Sequence, residues 1–232
     1  MAISVTTNAT GGIAALIPLI TILLSLLAIV KPREGLFGLA GLVIWVDEFK
    51  RLAVYYGGAY SITVVQVLAM PFVVLAALNI SFFLNILFGK VKIDFIGIII
   101  YGMGFVLGCA IFVTMEGSVS ERAQRAANIA GYITLIPIAY TYLKNFDQWR
   151  KFFSFQVILA VPAAAWAIKQ YYYGFDQIEL TYAASGLSMV HSGQMFQFAE
   201  PRVFGFFGSA SALGCAGIYC AYSWWHSFRF NK

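Results

Sequence analysis

The chain has 232 residues, 61% hydrophobic and 11% charged, with a mean hydropathy of +0.81 and a net charge of +5. Soluble domains carry about 25% charged residues, so a soluble enzyme or binding module is excluded. The apolar runs are continuous and do not alternate, which excludes an outer-membrane barrel. What remains is an all-α fold, a polytopic helical bundle in a membrane. At about 20 apolar residues per crossing, the length allows six to seven transmembrane helices in one domain over residues 1–232.

In chain order, the first span covers 11–30 and closes on Lys31, Pro32, Arg33 and Glu34. Residues 35–46 are a short apolar run, expected to tilt, thin the bilayer or re-enter. Asp47, Glu48, Lys50 and Arg51 end it, and 52–59 read as an aromatic and glycine connector. The next span, 60–88, holds Pro71 as an expected kink. Span 95–115 carries Gly104 and Gly108 at the four-residue spacing of a close-packing face. Residues 116–125 form a polar connector in which Ser118 and Glu121 have the capping-box spacing, so a helix is expected to start there and run through 126–143. After polar 144–151 come a span at 152–168, a long loop at 169–202 and a last span at 203–225.

The basic residues lie singly or in pairs at span ends, as the positive-inside rule requires, and not in a nucleic-acid patch. Nine of the 15 fall on the side that holds the connectors after the first, third and fifth spans and the C-terminal tail. That side is expected to be cytoplasmic, with loop 169–202 external. Cys109, Cys215 and Cys220 lie in apolar runs without CxxC spacing, and His191 and His226 are the only histidines. Neither a structural disulfide nor a metal site is expected, and no cofactor. The N-terminus lacks a basic n-region, so no cleaved signal peptide is expected.

The loop ends at Glu200, Pro201 and Arg202, and the helix behind Arg202 opens on small residues that include Gly205, Gly208, Ser209 and Ser211. Small residues let a second backbone or a ligand approach closely. An arginine at a membrane boundary is either an anchor, here paired with Glu200, or a functional group. Tyr171, Tyr172 and Tyr173 read as interfacial belt residues. Asp176 and Glu179 read as solvated loop carboxylates, and His191 as a solvated loop histidine.

Residues 202–214, Arg-Val-Phe-Gly-Phe-Phe-Gly-Ser-Ala-Ser-Ala-Leu-Gly, resemble the Arg-x-x-Gly/Ser-x-Phe-x-Ser/Asn-Pro-x-x-x-Gly signature of bacterial O-antigen ligase and polymerase-like proteins. Ala210 stands where the family has proline. The flank from Lys169 through Tyr171, Tyr172, Tyr173 and Phe175 is similar in style, as are Arg51, Leu52 and the aromatics before Gly57 and Gly58. Family members are about twice as long, so the chain resembles their N-terminal half, and the resemblance places a second large loop with a catalytic role in the other half.

The resemblance implies an inner-membrane protein of surface-polysaccharide assembly that transfers a glycan from an undecaprenyl-pyrophosphate donor to an acceptor hydroxyl, working with membrane lipid around it. The leaving pyrophosphate needs cationic donors in a partly dry site, and a guanidinium binds phosphate oxygens bidentately. Arg202 would supply it, with Gly205, Gly208, Ser209 and Ser211 lining the substrate. An acceptor hydroxyl also needs a general base. His191, Glu179, Asp176 and Glu200 are the candidates, and no spacing selects among them. The alternative is a non-catalytic transmembrane subunit or anchor that packs on a partner membrane protein through its small-residue faces. A small transporter ranks last, because no inverted repeat is present.

Overall fold

The computed structural model describes residues 2–59 and 61–185. His191, Glu200, Arg202, Gly205, Gly208, Ser209, Ser211, Cys215, Cys220, the last expected span and most of the expected loop lie outside the described residues. The described residues form seven helices and no strand: α1 (Ala2–Val30), α2 (Pro32–Gly57), α3 (Ile62–Leu87), α4 (Phe95–Thr114), α5 (Val119–Tyr142), α6 (Phe146–Tyr173) and α7 (Gln177–Ala184). The all-α expectation holds.

Among them α3, α4 and α6 are long and apolar enough to cross a bilayer. That is three candidate crossings among the described residues, fewer than the six to seven transmembrane helices that the sequence suggests for the chain. The apolar part of α1 is the shorter Ala15–Val30, while α2 carries charges at 33–34 and 47–51 and α5 carries Glu121, Arg122 and Arg125 in its first two turns. The short run at 35–46 is not a separate segment. It belongs to α2, which continues through the charges at 47–51 and ends at Gly57. A helix gains one backbone hydrogen bond per added residue once nucleated, and the Asp47–Lys50 and Glu48–Arg51 pairs at i,i+3 satisfy the charges within it. The expected connector at 52–59 is therefore mostly helix. Likewise α6 starts inside the expected polar stretch and runs into the expected loop, which also contains α7.

Helix ends follow local chemistry. Pro32 cannot continue α1 but suits the first position of α2. The Asp94 carboxylate accepts from Gly97 N at 2.9 Å and caps α4. Ser118 and Glu121 make the expected capping box of α5.

The chain divides into two compact units. One contains 21–39 and 72–149. Here the buried residues of α4 are glycines, Gly97, Gly104 and Gly108. A Cβ at Gly104 would lie 2.8 Å from Thr134 Cγ2, and one at Gly108 would lie 2.9 Å from Ala130 Cβ. The glycine spacing read from the sequence is thus the face on which α5 packs. The rest of α4 is exposed and apolar, for example Ile96, Val106 and Val113. Lipid tails are as apolar as these side chains, so helix association rests on close contact and polar bonds.

The polar bonds tie helix ends in the same unit. Ser81 Oγ donates to Ile29 O at 3.0 Å, and Asn85 Nδ2 donates to Tyr142 Oη at 3.1 Å. The C-terminal ends of α1, α3 and α5 therefore lie together. Fully buried Phe82 meets Tyr101 and Tyr142 edge-on, at 5.1 and 5.9 Å between ring centroids.

The other unit contains 40–71 and the described residues from Arg150 onward. Gly41 of α2 admits α6, since a Cβ there would lie 3.1 Å from Leu159 Cδ1.

Candidate functional site

Within this second unit, α2, α6 and α7 bring seven charged side chains and three large polar ones into one buried network. It begins on α2. Asp47 pairs with Lys50 at 2.8 Å and Glu48 with Arg51 at 3.1 Å. Arg51 is fully buried, and its guanidinium lies over the Tyr182 ring at 5.7 Å. Lys50 Nζ lies 5.3 Å from the same ring, and Lys50 and Tyr182 are hydrogen-bonded. A cation over a desolvated aromatic face is attracted by the ring quadrupole. Tyr182 thus holds both cations of α2 against α7.

The other half of the network is built by α6 and α7. Gly174, at φ +77°, turns the chain where a side chain would be strained, so that α7 folds back beside α6. Asp176 caps α7: its Oδ1 accepts from Glu179 N at 3.0 Å, while Asp176 N donates to Glu179 Oε2 at 2.7 Å. Trp166 Nε1 and Gln170 Nε2 both donate to Glu179 Oε1, at 2.6 and 2.5 Å. Lys169 Nζ reaches Asp176 Oδ2 at 3.2 Å and Glu179 Oε2 at 3.4 Å, and it sits 4.7 Å from the Trp166 ring centre.

These placements correct the reading of two candidates as solvated loop carboxylates. Glu179 is 1% exposed. A buried carboxylate requires partners, and α6 supplies three of them, Trp166, Lys169 and Gln170, spaced i, i+3 and i+4 along one face. With about four acceptor positions on a carboxylate, Glu179 is saturated as placed. Asp176 keeps about a third of its side chain exposed and spends its oxygens on the helix cap and on Lys169.

Burial raises the Glu48 pKa above the ordinary carboxylate value. Arg51 opposes this, and the negative charges of Glu179 and Asp176 add to it. The two halves of the network therefore interact electrostatically. Burial also raises the Tyr182 hydroxyl against the pull of Lys50. For Lys50, burial works downward, but Asp47 and Tyr182 outweigh it and the pKa is raised. Burial lowers Arg51, yet a guanidinium stays charged at any physiological pH. Four carboxylates thus face three cations in a largely dry setting. Such an arrangement holds helices in register, and burial works against the charged form of Glu48 despite its pair with Arg51.

Of the four candidate bases, the structure brings together Asp176 and Glu179; His191 and Glu200 lie outside the described residues. Sequence reading missed Glu48, Arg51, Trp166, Gln170 and Tyr182 as members of one site. The i,i+3 charge pairs inside an apolar stretch were the available signal, obscured by reading 47–51 as the end of a span. Among the described residues, no group of three or more His, Cys, Asp or Glu is arranged to hold a metal ion. No protein-family model, curated protein or solved structure matches the chain.

Proposed function

We propose that this membrane protein acts in surface-polysaccharide assembly, in the transfer of a glycan from an undecaprenyl-pyrophosphate donor to an acceptor hydroxyl. In this reading the protein lies in a bacterial inner membrane with residues 169–202 on the periplasmic side. Arg202 binds the pyrophosphate through its planar fork, with Gly205, Gly208, Ser209 and Ser211 along the lipid-linked substrate. The chemistry is named by the resemblance at 202–214. The observation that supports it is the meeting of Arg51 and its neighbours with residues 166–182 in one buried network. Both stretches share the resemblance, and they are far apart in sequence. In this reading the network fixes α6 and α7, the kind of rigid support that a site for a charged leaving group at a membrane face needs.

The test is complementation of surface-glycan assembly in cells lacking the protein. Arg202→Lys keeps the charge and loses the fork, so it is expected to fail nearly as fully as Arg202→Ala. Full activity of Arg202→Lys removes the bidentate role.

A second reading is a non-catalytic transmembrane subunit that works with a partner membrane protein. The saturation of Glu179 favours it, because a general base needs a free acceptor position. It predicts stable co-purification of the partner and unchanged glycan assembly with Arg202→Ala.

A further inference from the structure

The unit that contains 72–149 has a groove of about 410 Å³ between α3, α4 and α5. Its size lies in the range of about 300–1,000 Å³ found for ligand sites. Large side chains on α3 and α4, such as Ile80, Phe83 and Phe105, face small ones on α5, namely Ala127, Ala130 and Gly131. Ile80, Phe83 and Phe105 are each about half exposed, so the groove opens on the molecular surface. The helices α3 and α4 are apolar enough to cross a bilayer, which puts that surface in hydrocarbon.

The donors that line the groove are already engaged. Asn79 Nδ2 donates to Leu75 O at 2.9 Å, Tyr101 Oη to Asn79 O at 3.3 Å and Thr134 Oγ1 to Gly131 O at 3.2 Å. Asn79 Oδ1 is buried without a partner and offers an acceptor but no charge, so a phosphate in the groove would lose its hydration with little in return. A hydrocarbon chain loses nothing.

One end of the groove is strongly basic. Leu84 lines that end, and the next residue, Asn85, touches Tyr142 of α5. The backbone amide of Lys90 donates to Asn85 O at 2.9 Å, so Lys90 folds back onto the end of α3. Lys92 follows it, Lys144 lies two residues beyond Tyr142, and all three are exposed. None of the three makes a salt bridge among the described residues. The neighbouring carboxylates are occupied: Asp94 caps α4, Asp147 is engaged elsewhere, and Glu34 pairs with Arg33 at 2.7 Å. On the orientation proposed above, this end faces the cytoplasm, where the leaflet carries anionic lipid.

We infer that the groove binds one hydrocarbon chain of an anionic phospholipid whose headgroup is held by Lys90, Lys92 and Lys144. The chain fills the gap between large residues on α3 and α4 and small ones on α5. The phosphate supplies the negative charge that the three lysines lack.

The full-length protein, purified in a mild detergent, is loaded with dioleoyl phosphatidylglycerol or dioleoyl phosphatidylcholine and weighed intact by native mass spectrometry. One phosphatidylglycerol is expected to stay bound under activation that strips phosphatidylcholine. Replacing all three lysines with glutamine should weaken retention by on the order of a hundredfold, at about fivefold per charge near a headgroup. Ala127→Phe adds a ring from an exposed position and should abolish retention. A second measurement does not depend on how these variants fold. In Phe83→Trp, phosphatidylglycerol with brominated chains should quench the new tryptophan more than brominated phosphatidylcholine does.

Equal retention and equal quenching by the two lipids would overturn the inference, as would undiminished retention in Ala127→Phe. Undecaprenyl phosphate retained in place of phosphatidylglycerol would overturn it too and assign the groove to a lipid-linked donor. Disulfide cross-linking of two copies through Ile80→Cys would show instead that a second copy covers it.

Discussion

The two units hold their helices by opposite means. In the unit with 72–149, α4 meets α5 through glycines, and the polar bonds are few and neutral. In the unit with 40–71 and the residues after Arg150, α6 and α7 are joined through the buried charge of Glu179, and α2 meets α7 through Lys50 and Arg51 over the Tyr182 ring. The difference follows from the setting of each. Lipid offers no hydrophobic gain for helix pairing, so a helix like α4 can associate only where side chains are small enough to let backbones approach. Charged residues near the ends of apolar helices must instead be paired with one another, and the pairing then fixes geometry. Glycine contact is tolerant of chemistry and intolerant of volume; the ion network is the reverse.

Substitutions can separate these two behaviours. The largest effect is expected from Arg51→Ala. Removing one member of a buried pair costs about 3–5 kcal/mol, because its partner is left uncompensated. Replacing both Arg51 and Glu48 with leucine should cost far less, since an apolar pair of similar volume is often neutral. Thermal unfolding in detergent compares the two. If the double variant is as unstable as Arg51→Ala, the loss lies in the guanidinium's contact with Tyr182 and not in an unpaired Glu48.

Overpacking comes next. A methyl group at Gly35 would overlap the Ala28 backbone, and one at Gly108 would press on Ala130 Cβ. Gly35→Ala and Gly108→Val are each expected to cost about 1–3 kcal/mol. By contrast Gly102 has open space around its Cβ position, and Gly102→Ala should be neutral or slightly stabilising. Similar losses at Gly102 and Gly108 would show that contact volume does not set the effect.

Glu179→Gln keeps the shape but removes the charge met by Lys169 and weakens the cap of α7. The expected cost is about 1–3 kcal/mol. It should appear as faster hydrogen exchange across 177–184 with little change in α4 and α5. Uniformly faster exchange over both regions would mean that the network is not local to its unit.

The smallest effect is the dependence on pH. Burial raises Glu48 in the folded state above its ordinary value of 4.5. The folded state then binds more protons in the window above 4.5, so stability falls as pH rises through that window. Moving from neutral pH toward 5 should raise the melting temperature slightly, and Glu48→Gln should flatten the rise. At the alkaline end, Tyr182 and Lys50 both have raised values, so stability should fall as pH climbs above 10. A melting temperature that drops between neutral pH and 5 in the parent and not in Glu48→Gln would reverse the sign assigned to this carboxylate.

Much of the glycine-held unit was legible in the sequence. The close-packing pair Gly104 and Gly108 and the capping box at Ser118 are local signals, determined by residues three or four apart. The charge-held unit was legible only in pieces. Asp47, Glu48, Lys50 and Arg51 looked like the end of a span because charge ends an apolar run; their i,i+3 pairs fit them inside a 26-residue helix, and Tyr182, more than a hundred residues away, covers Arg51. Glu179 looked like a loop residue because it lies between two expected spans, in a stretch with too few apolar residues for a third. Its burial comes from Trp166 and Gln170, which α6 presents only after Gly174 has turned the chain.

By itself the sequence determined the medium and the class: composition demands a membrane, continuous apolar runs demand helices, and caps and prolines mark where several of them begin. Tertiary structure alone decided which charges are solvated and which are buried. Desolvation and pairing are properties of a place in three dimensions, and residues distant along the chain create that place.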